Sequence, residues 1–325
     1  MMTRTRQTIL EFVAKEGRVT AKAIIQHVGL GSTSIFRQLA RLVKDQVLEK
    51  QGTPPKVFYS VAAMAPLQRE YDFSDSVGRT LVQHFLKIGP DGTLRQGKRA
   101  FAKWCLARGL EPVKAAEDYA AIIKKYDAFK KDGLIDGTAK LQKTFPQVYL
   151  DQLFYLDFYS IERFGKTKLG ELILYAKQSQ NVPLVRQVVD EVRSYILQLL
   201  QDQKIDAVGF IPPTVKREVQ FMKELESLLR LPVRTIKITK IKMPITVPQK
   251  TLTKLEDRIE NARETLVVEE EGIYKNILLI DDAIGSGATM HEVARQIRHK
   301  KLCTGKLIGL GLVGSYSGFE VIHEV

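Results

Sequence analysis

Apolar residues recur along the first 61 positions with the spacing of three short helices. They lie three or four residues apart over 4–15, 20–28 and 33–44, and two short strand-like runs follow at 47–51 and 56–61. This spacing gives each helix one apolar stripe, and the Gly-Thr-Pro-Pro sequence at 52–55 is typical of a turn. The pattern predicts three helices followed by a two-stranded hairpin.

The third predicted helix has one apolar and one polar face. Ile35, Leu39 and Leu42 fall on the apolar side, and Ser32 or Thr33 is expected to cap the helix. Arg and Gln side chains can read base edges in a major groove, and Lys suits phosphate. The residues predicted to contact DNA, on this helix and near the hairpin turn, are Thr33, Ser34, Arg37, Gln38, Arg41, Lys44 and Lys56.

The order of elements in residues 1–65 resembles a winged helix-turn-helix domain. That resemblance implies double-stranded DNA as a partner, with the third helix as the recognition helix. Winged helices also dock proteins or dimerise, and a basic helix face can simply be solvated, so these alternatives stay open.

Residues 66–147 are predicted to form a small helical segment. Stretches with helical spacing at 77–88, 98–106 and 115–129 are separated by turns that contain Gly. No motif of known chemistry is evident in them.

From residue 148 to 325, short apolar runs alternate with helical stretches. Strands are predicted at 206–211, 233–241, 276–280 and 307–313, and helices at 218–229 and 289–299. Strands separated by helices predict an α/β domain in which helices flank a parallel sheet. Such sheets bind ligands at the carboxyl ends of their strands.

Charge adds a class of partner to this picture. The formal net charge is +13, and residues 1–150 hold 25 Lys and Arg against 14 Asp and Glu, whereas residues 151–325 hold 25 against 23. The excess of positive charge therefore lies in the N-terminal part of the chain, where it would attract a polyanion.

Other features argue against several classes of protein. No apolar run reaches the roughly 18 residues that a membrane helix needs, and the first residues lack the apolar core of a signal peptide, so we expect a cytoplasmic protein with no membrane contact. Cys105 and Cys303 lack CxxC spacing, which argues against a cysteine zinc site. The five histidines show no ligand spacing, so no metal site built from a side-chain cluster is expected.

Residues 277–289 carry the most specific chemical pattern. An apolar run leads to two carboxylates, which can accept hydrogen bonds from the vicinal hydroxyls of a ribose, and a loop of small residues at a helix start can wrap a phosphate with N–H groups. The residues after the apolar run are Asp281, Asp282, Ala283, Ile284, Gly285, Ser286, Gly287, Ala288 and Thr289. An acidic pair could also bind metal in a nucleotide hydrolase, but the chain contains no GxxxxGK[ST] motif.

This run resembles the phosphoribosyl pyrophosphate (PRPP) signature of type I phosphoribosyltransferases. The resemblance implies that Asp281 and Asp282 bind the ribose, that the loop binds the 5′-phosphate, and that Mg²⁺ is bound together with PRPP. Gly285 departs from the family, which usually has Thr there, so one hydroxyl is lost while the backbone N–H groups remain.

Two further segments resemble the ComF-type branch of that superfamily. One is the Pro-Pro-Thr-Val-Lys-Arg turn at 212–217, and the other is the spacing of Gln249, Leu252, Arg258 and Asn261. The resemblance runs from about residue 156 to the C-terminus. ComF-type proteins usually begin with a cysteine zinc module, whereas this chain has the segments described above.

The ComF-like segments supply four candidate catalytic cations. The resemblance implies that Lys216 and Arg217 neutralise a departing pyrophosphate, and that Lys250 or Arg258 closes over it from a mobile loop. Each of the four could instead be an ordinary solvated charge.

Three functions are compatible with these patterns. The first is a homodimeric DNA-binding regulator that senses PRPP or a nucleotide, an architecture that resembles the purine-operon repressors of Gram-positive bacteria. The second is a Mg²⁺-dependent phosphoribosyltransferase, a glycosyltransferase whose acceptor the sequence does not identify. The third is a ComF-like accessory protein of competence or DNA processing.

Overall fold

The computed structural model describes residues 4–45, 47–62, 71–213, 215, 217–241, 243, 245, 247 and 251–316. The chain divides into two compact units, residues 1–71 and 72–325. Within the described ranges, no helix is long and apolar enough to cross a membrane.

The N-terminal unit contains three helices and a three-stranded antiparallel sheet. Its elements in chain order are α1 (Arg4–Glu16), β1 (Arg18–Thr20), α2 (Ala21–Val28), α3 (Ser32–Lys44), β2 (Leu48–Gln51) and β3 (Phe58–Val61). The strand order is β1-β3-β2. The helices and the hairpin lie where the apolar spacing predicted them, and β1 is an addition that the sequence pattern did not predict.

The core of this unit consists of the predicted apolar faces. Ile9, Ile24, Ile35 and Leu39 are buried against one another, together with neighbouring apolar side chains. The predicted cap of α3 was wrong, because Gly31 occupies the N-cap position and no side chain caps this helix.

The second unit contains nine helices and thirteen strands among its described residues. The helices are α4 (Asp75–His84), α5 (Gly97–Leu106), α6 (Pro112–Asp127), α7 (Thr138–Thr144), α8 (Lys168–Gln178), α9 (Val182–Asp202), α10 (Phe221–Leu229), α11 (Leu255–Thr265) and α12 (Ala288–His299). The strands are β4 (Leu86–Ile88), β5 (Leu94–Gln96), β6 (Lys130–Lys131), β7 (Leu134–Asp136), β8 (Gln152–Phe158), β9 (Ser160–Ile161), β10 (Gly165–Lys166), β11 (Ala207–Phe210), β12 (Arg234–Ile236), β13 (Ile238–Lys240), β14 (Leu266–Val268), β15 (Ile277–Ile284) and β16 (Leu307–Gly314).

A seven-stranded, mostly parallel sheet flanked by helices forms the centre of this unit. Its strand order is β12-β11-β15-β16-β8-β7-β6, and the five strands from β12 to β8 run parallel. The expected α/β architecture is confirmed at this level. The stretch 233–241, predicted as one strand, is two strands, because the chain leaves the main sheet at Lys237 and β13 pairs with β14 instead.

The central strands are buried on both faces, as parallel strands between helices must be. Leu278, Ile280 and Leu310 pack with buried residues of α8, α9 and α10. Met290 of α12 lies directly against Gly309 of β16. The carboxyl ends of β11, β15 and β16 consequently share one edge of the sheet.

Residues 72–147 of the middle segment belong to the same compact unit as the parallel sheet. Strands β6 and β7 extend that sheet by antiparallel pairing beyond β8. The β4–β5 hairpin is held to α8 by Glu171, which accepts a hydrogen bond from the N–H of Ile88 at 3.0 Å and lies 3.8 Å from Lys87 Nζ. Residues 72–147 therefore pack onto the parallel-sheet domain. The prediction of a helical segment was wrong in part, because these residues form the strands β4 to β7 as well as the helices α4 to α7.

Candidate functional site

The two adjacent carboxylates of Asp281 and Asp282, here called the acidic pair, lie near the carboxyl end of β15. This strand is central in the sheet, with β11 and β16 as parallel neighbours. It runs four residues beyond the predicted end at 280, because β16 accompanies it as far as the pairing of Ile284 with Gly314. The acidic pair therefore projects from regular strand backbone and not from a loop.

The loop after β15 leads directly into the first turn of α12. Residues 284–289, to which the sequence resemblance assigned the 5′-phosphate of PRPP, are called the PRPP loop below. Gly287 has a φ of 78°, a left-handed conformation that favours glycine, and it is the N-cap of α12, which begins one residue earlier than predicted. The first N–H groups of a helix have no partner within the helix, and they lie at the positive end of its dipole. Such a loop can hold an anion.

One cavity of about 250 Å³ collects most of the predicted site residues. Its lining includes the acidic pair, the rest of the segment through Thr289, and the two arginines Arg217 and Arg258. These groups come from three separate stretches of sequence, and the fold brings them to one edge of the sheet. Two of the four predicted cations, Lys216 and Lys250, lie outside the described residues.

Arg217 is tied to the end of α8. Its guanidinium donates a hydrogen bond to the backbone oxygen of Lys177, and its own backbone oxygen accepts one from Gln220 Nε2 at 2.9 Å. The N–H of Val219 is bound by Gln180 Oε1 at 2.9 Å. These contacts hold residues 217–220 out of α10, which is why that helix begins at Phe221 and not at the predicted residue 218.

Arg258 lies on α11 and not on a mobile loop, so that part of the prediction was wrong. Its side chain is buried, with 6% of its surface exposed, and its Nε donates to the backbone oxygen of Leu252 at 2.7 Å. Burial lowers the pKa of this guanidinium. The alternative of a solvated surface charge does not apply to Arg258, because it is buried at the cavity wall.

The structure adds one cation that was not among the predicted site residues. Lys177, in the last turn of α8, places Nζ 2.9 Å from Asp282 Oδ2 and lines the same cavity. No local sequence signal marks this lysine, because its position against the acidic pair depends on how α8 packs on the sheet.

Electrostatics distinguishes the first carboxylate of the acidic pair. Burial and the adjacent charge of Asp282 raise the pKa of Asp281 to about 8, while Lys177 acts in the opposite direction. The N–H of Asp282 donates to Asp281 Oδ1 at 2.8 Å. A carboxyl group with a raised pKa can donate a hydrogen bond when protonated as well as accept one, so the acidic pair is suited to binding hydroxyl groups.

With this geometry established, the sequence was compared with known proteins. No family model matches the chain, and no curated protein matches it. Statements about what the site binds therefore rest on its residues and their arrangement.

We expect the contribution of Asp281 to the stability of the protein to fall as the pH rises from about 4 to about 8. A carboxyl group with a raised folded-state pKa stabilises the fold fully below its unfolded pKa, near 3.9 for Asp, and that stabilisation is lost as the pH rises through the folded value, about 8 for Asp281. Asp281→Asn removes the titrating group. The unfolding temperature of this variant should exceed that of the parent by several degrees above pH 8 and differ little near pH 4. An equal difference in unfolding temperature at both pH values would contradict the raised pKa of Asp281.

The departure at Gly285 gives a second prediction. An added Cβ at Gly285 meets no atom within 4 Å, and its φ is outside the left-handed region, so a side chain fits. Gly285→Thr should bind Mg²⁺-PRPP about three- to tenfold more tightly in calorimetry, because it adds a hydroxyl donor to a charged phosphate. Gly285→Val has the same shape without the hydroxyl and is the control. Equal affinities of the Thr and Val variants would show that the hydroxyl contributes nothing.

The predicted DNA-contacting residues form an exposed face of the N-terminal unit, with one difference. Five positions of α3 and the lysine of the hairpin are exposed, namely Thr33, Ser34, Arg37, Arg41, Lys44 and Lys56. Gln38 is half-buried and accepts a hydrogen bond from Arg6 Nε at 2.9 Å, so it is engaged within the unit. Phe36 is half-exposed on the same helix and was not among the predicted DNA-contacting residues.

Over the described part of the chain, no group of three or more His, Cys, Asp or Glu residues could hold a metal ion. His27 stacks on Phe12 with ring centroids 4.0 Å apart, and His291 stacks on Phe145 at 3.9 Å. His323 lies outside the described residues. These two histidine rings therefore have packing roles.

Proposed function

We propose that this protein is a DNA-binding regulator whose α/β domain binds PRPP or a related nucleotide. The observation that carries the proposal is the cavity in which the acidic pair, the PRPP loop and cationic side chains meet at the carboxyl edge of the parallel sheet. Parallel α/β sheets bind ligands at this edge.

The chemistry of the cavity fits each part of PRPP. The acidic pair can accept hydrogen bonds from the two ribose hydroxyls. The N–H groups at the start of α12, with the hydroxyls of Ser286 and Thr289, can hold the 5′-phosphate. Arg217 and Arg258 can neutralise the pyrophosphate. Mg²⁺ would arrive with PRPP, since its preferred oxygen ligands are phosphate groups and one or two carboxylates.

The N-terminal unit supports the DNA-binding half of the proposal. Its element order, with a helix, a strand, two helices and a hairpin, supports the proposal of a winged helix-turn-helix. The exposed polar face of α3 carries Arg37, Arg41 and Lys44, whose charges suit phosphates and base edges in a major groove. In this proposal the protein acts as a homodimer, so that two recognition helices contact one duplex.

A binding assay with and without ligand tests the regulator. A labelled mixed-sequence duplex at low salt should bind the full chain, and Mg²⁺-PRPP should change the affinity, because a ligand that prefers one of two arrangements shifts the equilibrium between them. Mg²⁺-pyrophosphate is the control for charge and metal. If no duplex binds at low salt, the protein is not a DNA-binding regulator.

A second candidate, a phosphoribosyltransferase, is favoured by one specific observation. Two arginines line the same cavity as the acidic pair, which is the placement that would stabilise charge on a departing pyrophosphate. Incubation with Mg²⁺-PRPP and a panel of nucleobases and amines tests this activity. Pyrophosphate release with any acceptor identifies an enzyme, and Arg217→Gln should then reduce the rate.

A further inference from the structure

Lys177 joins two parts of the cavity that are far apart in sequence. Its ammonium lies 2.9 Å from Asp282 Oδ2, and its backbone oxygen accepts the hydrogen bond from the Arg217 guanidinium. Both contacts come from the last turn of α8, where a helix has unsatisfied carbonyls and the negative end of its dipole. A cation such as Arg217 is stabilised at that position.

The charges around the cavity explain why a cation is needed beside the acidic pair. Two adjacent carboxylates disfavour the approach of a sugar phosphate, and they also disfavour each other's ionised form. The described cations that line the cavity are Lys177 on α8, Arg217 after β11 and Arg258 on α11. Among these described cations, Lys177 is the one that forms a salt bridge with the acidic pair. The Lys177 and Asp282 side chains are 26% and 13% exposed, so water screens this pair less than a surface pair.

We propose that Lys177 is a positioning residue of the phosphoribosyl site. Its ammonium fixes the Asp282 carboxylate as an acceptor for a ribose hydroxyl, and its carbonyl holds Arg217 at the pyrophosphate end of the cavity. This inference rests on the proposed binding of PRPP. Without the ammonium, the Asp282 carboxylate loses the partner that fixes its position and is expected to turn away, so one acceptor for the sugar is lost.

Calorimetric titration of the full chain with Mg²⁺-PRPP tests the role of Lys177. Lys177→Met should weaken binding by about 30-fold or more, because removing one partner of a partly buried, hydrogen-bonded ion pair costs at least about 2 kcal/mol. Lys177→Arg keeps the positive charge and should bind within about fivefold of the parent, since Arg can replace Lys in an ion pair but with different geometry. Rescue by Arg would not be expected if the lysine only filled space.

The matched control lies on the same helix. Lys168 forms a comparable ion pair, 2.6 Å from Glu191 Oε1, and it is not among the residues that line the cavity. Lys168→Met should leave PRPP affinity unchanged. The unfolding temperatures of the Lys177→Met and Lys168→Met variants should agree within a few degrees, which separates a loss of binding from a loss of folding.

The outcomes separate this inference from the proposed function. If the parent protein binds Mg²⁺-PRPP and Lys177→Met binds it equally well, Lys177 has no positioning role and the proposed function stands. If Lys177→Arg binds as poorly as Lys177→Met, the charge is not what matters, and the inference is overturned. If the parent protein itself does not bind PRPP, the proposed function fails, and this inference fails with it.

Discussion

Replacing both Asp281 and Asp282 by Asn is expected to abolish the stabilisation of the protein by Mg²⁺-PRPP. The parent protein, with ligand at about a hundred times its dissociation constant, should gain about 2.7 kcal/mol, or roughly 5–10 °C in unfolding temperature. The double variant loses both carboxyl groups that would bind the ribose hydroxyls, so its unfolding temperature should not change when ligand is added. Thermal unfolding followed by intrinsic fluorescence measures both.

The control for this prediction removes two neighbouring acidic charges elsewhere. Glu117→Gln with Asp118→Asn lies on the surface of α6, where Asp118 pairs with Arg163 at 3.1 Å. This variant should keep the full ligand-dependent shift. A ligand-dependent shift in the Asp281/Asp282 variant equal to that of the parent would contradict the placement of the ribose at the acidic pair.

The second large effect is expected at α3. Replacing Arg37 and Arg41 by Ala should weaken binding of a duplex by about a hundredfold at low salt, because both charges lie on the exposed face of the proposed recognition helix. The slope of log affinity against log salt concentration should fall by about 1.8, which corresponds to two lost phosphate contacts. Fluorescence anisotropy over a range of salt concentrations gives both quantities.

The control variant has the same net charge as the Arg37/Arg41 variant. Lys15 on α1 and Lys124 on α6 are exposed lysines on other helices, and replacing both by Ala removes the same number of charges. Binding and salt slope should change little in that variant. If it loses as much affinity as the α3 variant, the attraction to DNA comes from net charge, and α3 is not a recognition helix.

Local sequence patterns were sufficient to predict those helices and strands whose conformation follows from their own apolar and polar spacing. The apolar stripe of α3 at Ile35, Leu39 and Leu42 is buried as expected. The acidic pair and the PRPP loop were predicted from a strand, a turn and a helix that are contiguous in sequence. In each case the information lies within about 15 residues, which is the range over which hydrophobic periodicity is informative.

Contacts between distant segments were not predictable in the same way. The burial of Arg258 depends on α11 packing beside the cavity, and the salt bridge of Lys177 depends on the placement of α8. Gln38 has a side chain that could read base edges, yet it accepts a hydrogen bond from Arg6 of another helix. Gln38 and Lys177 carry no local signal, because their partners Arg6 and Asp282 lie 32 and 105 residues away in sequence.

The short strands of the middle segment illustrate a second limit. β6 and β7 contain two and three residues, which is too short for alternation of apolar and polar positions to appear. β7 is a strand because β8 offers it an edge, with Ile135 opposite Tyr155, and β6 pairs with β7 in turn. The edge of the parallel sheet, and not the sequence of the segment, determines this part of the structure.

The most direct test of the central claim is a calorimetric titration of the full-length protein with Mg²⁺-PRPP. We predict saturable binding at one site per chain, with no comparable binding of Mg²⁺ alone. Absence of binding heat and of any ligand-dependent change in unfolding temperature would contradict the claim that this cavity is a phosphoribosyl site.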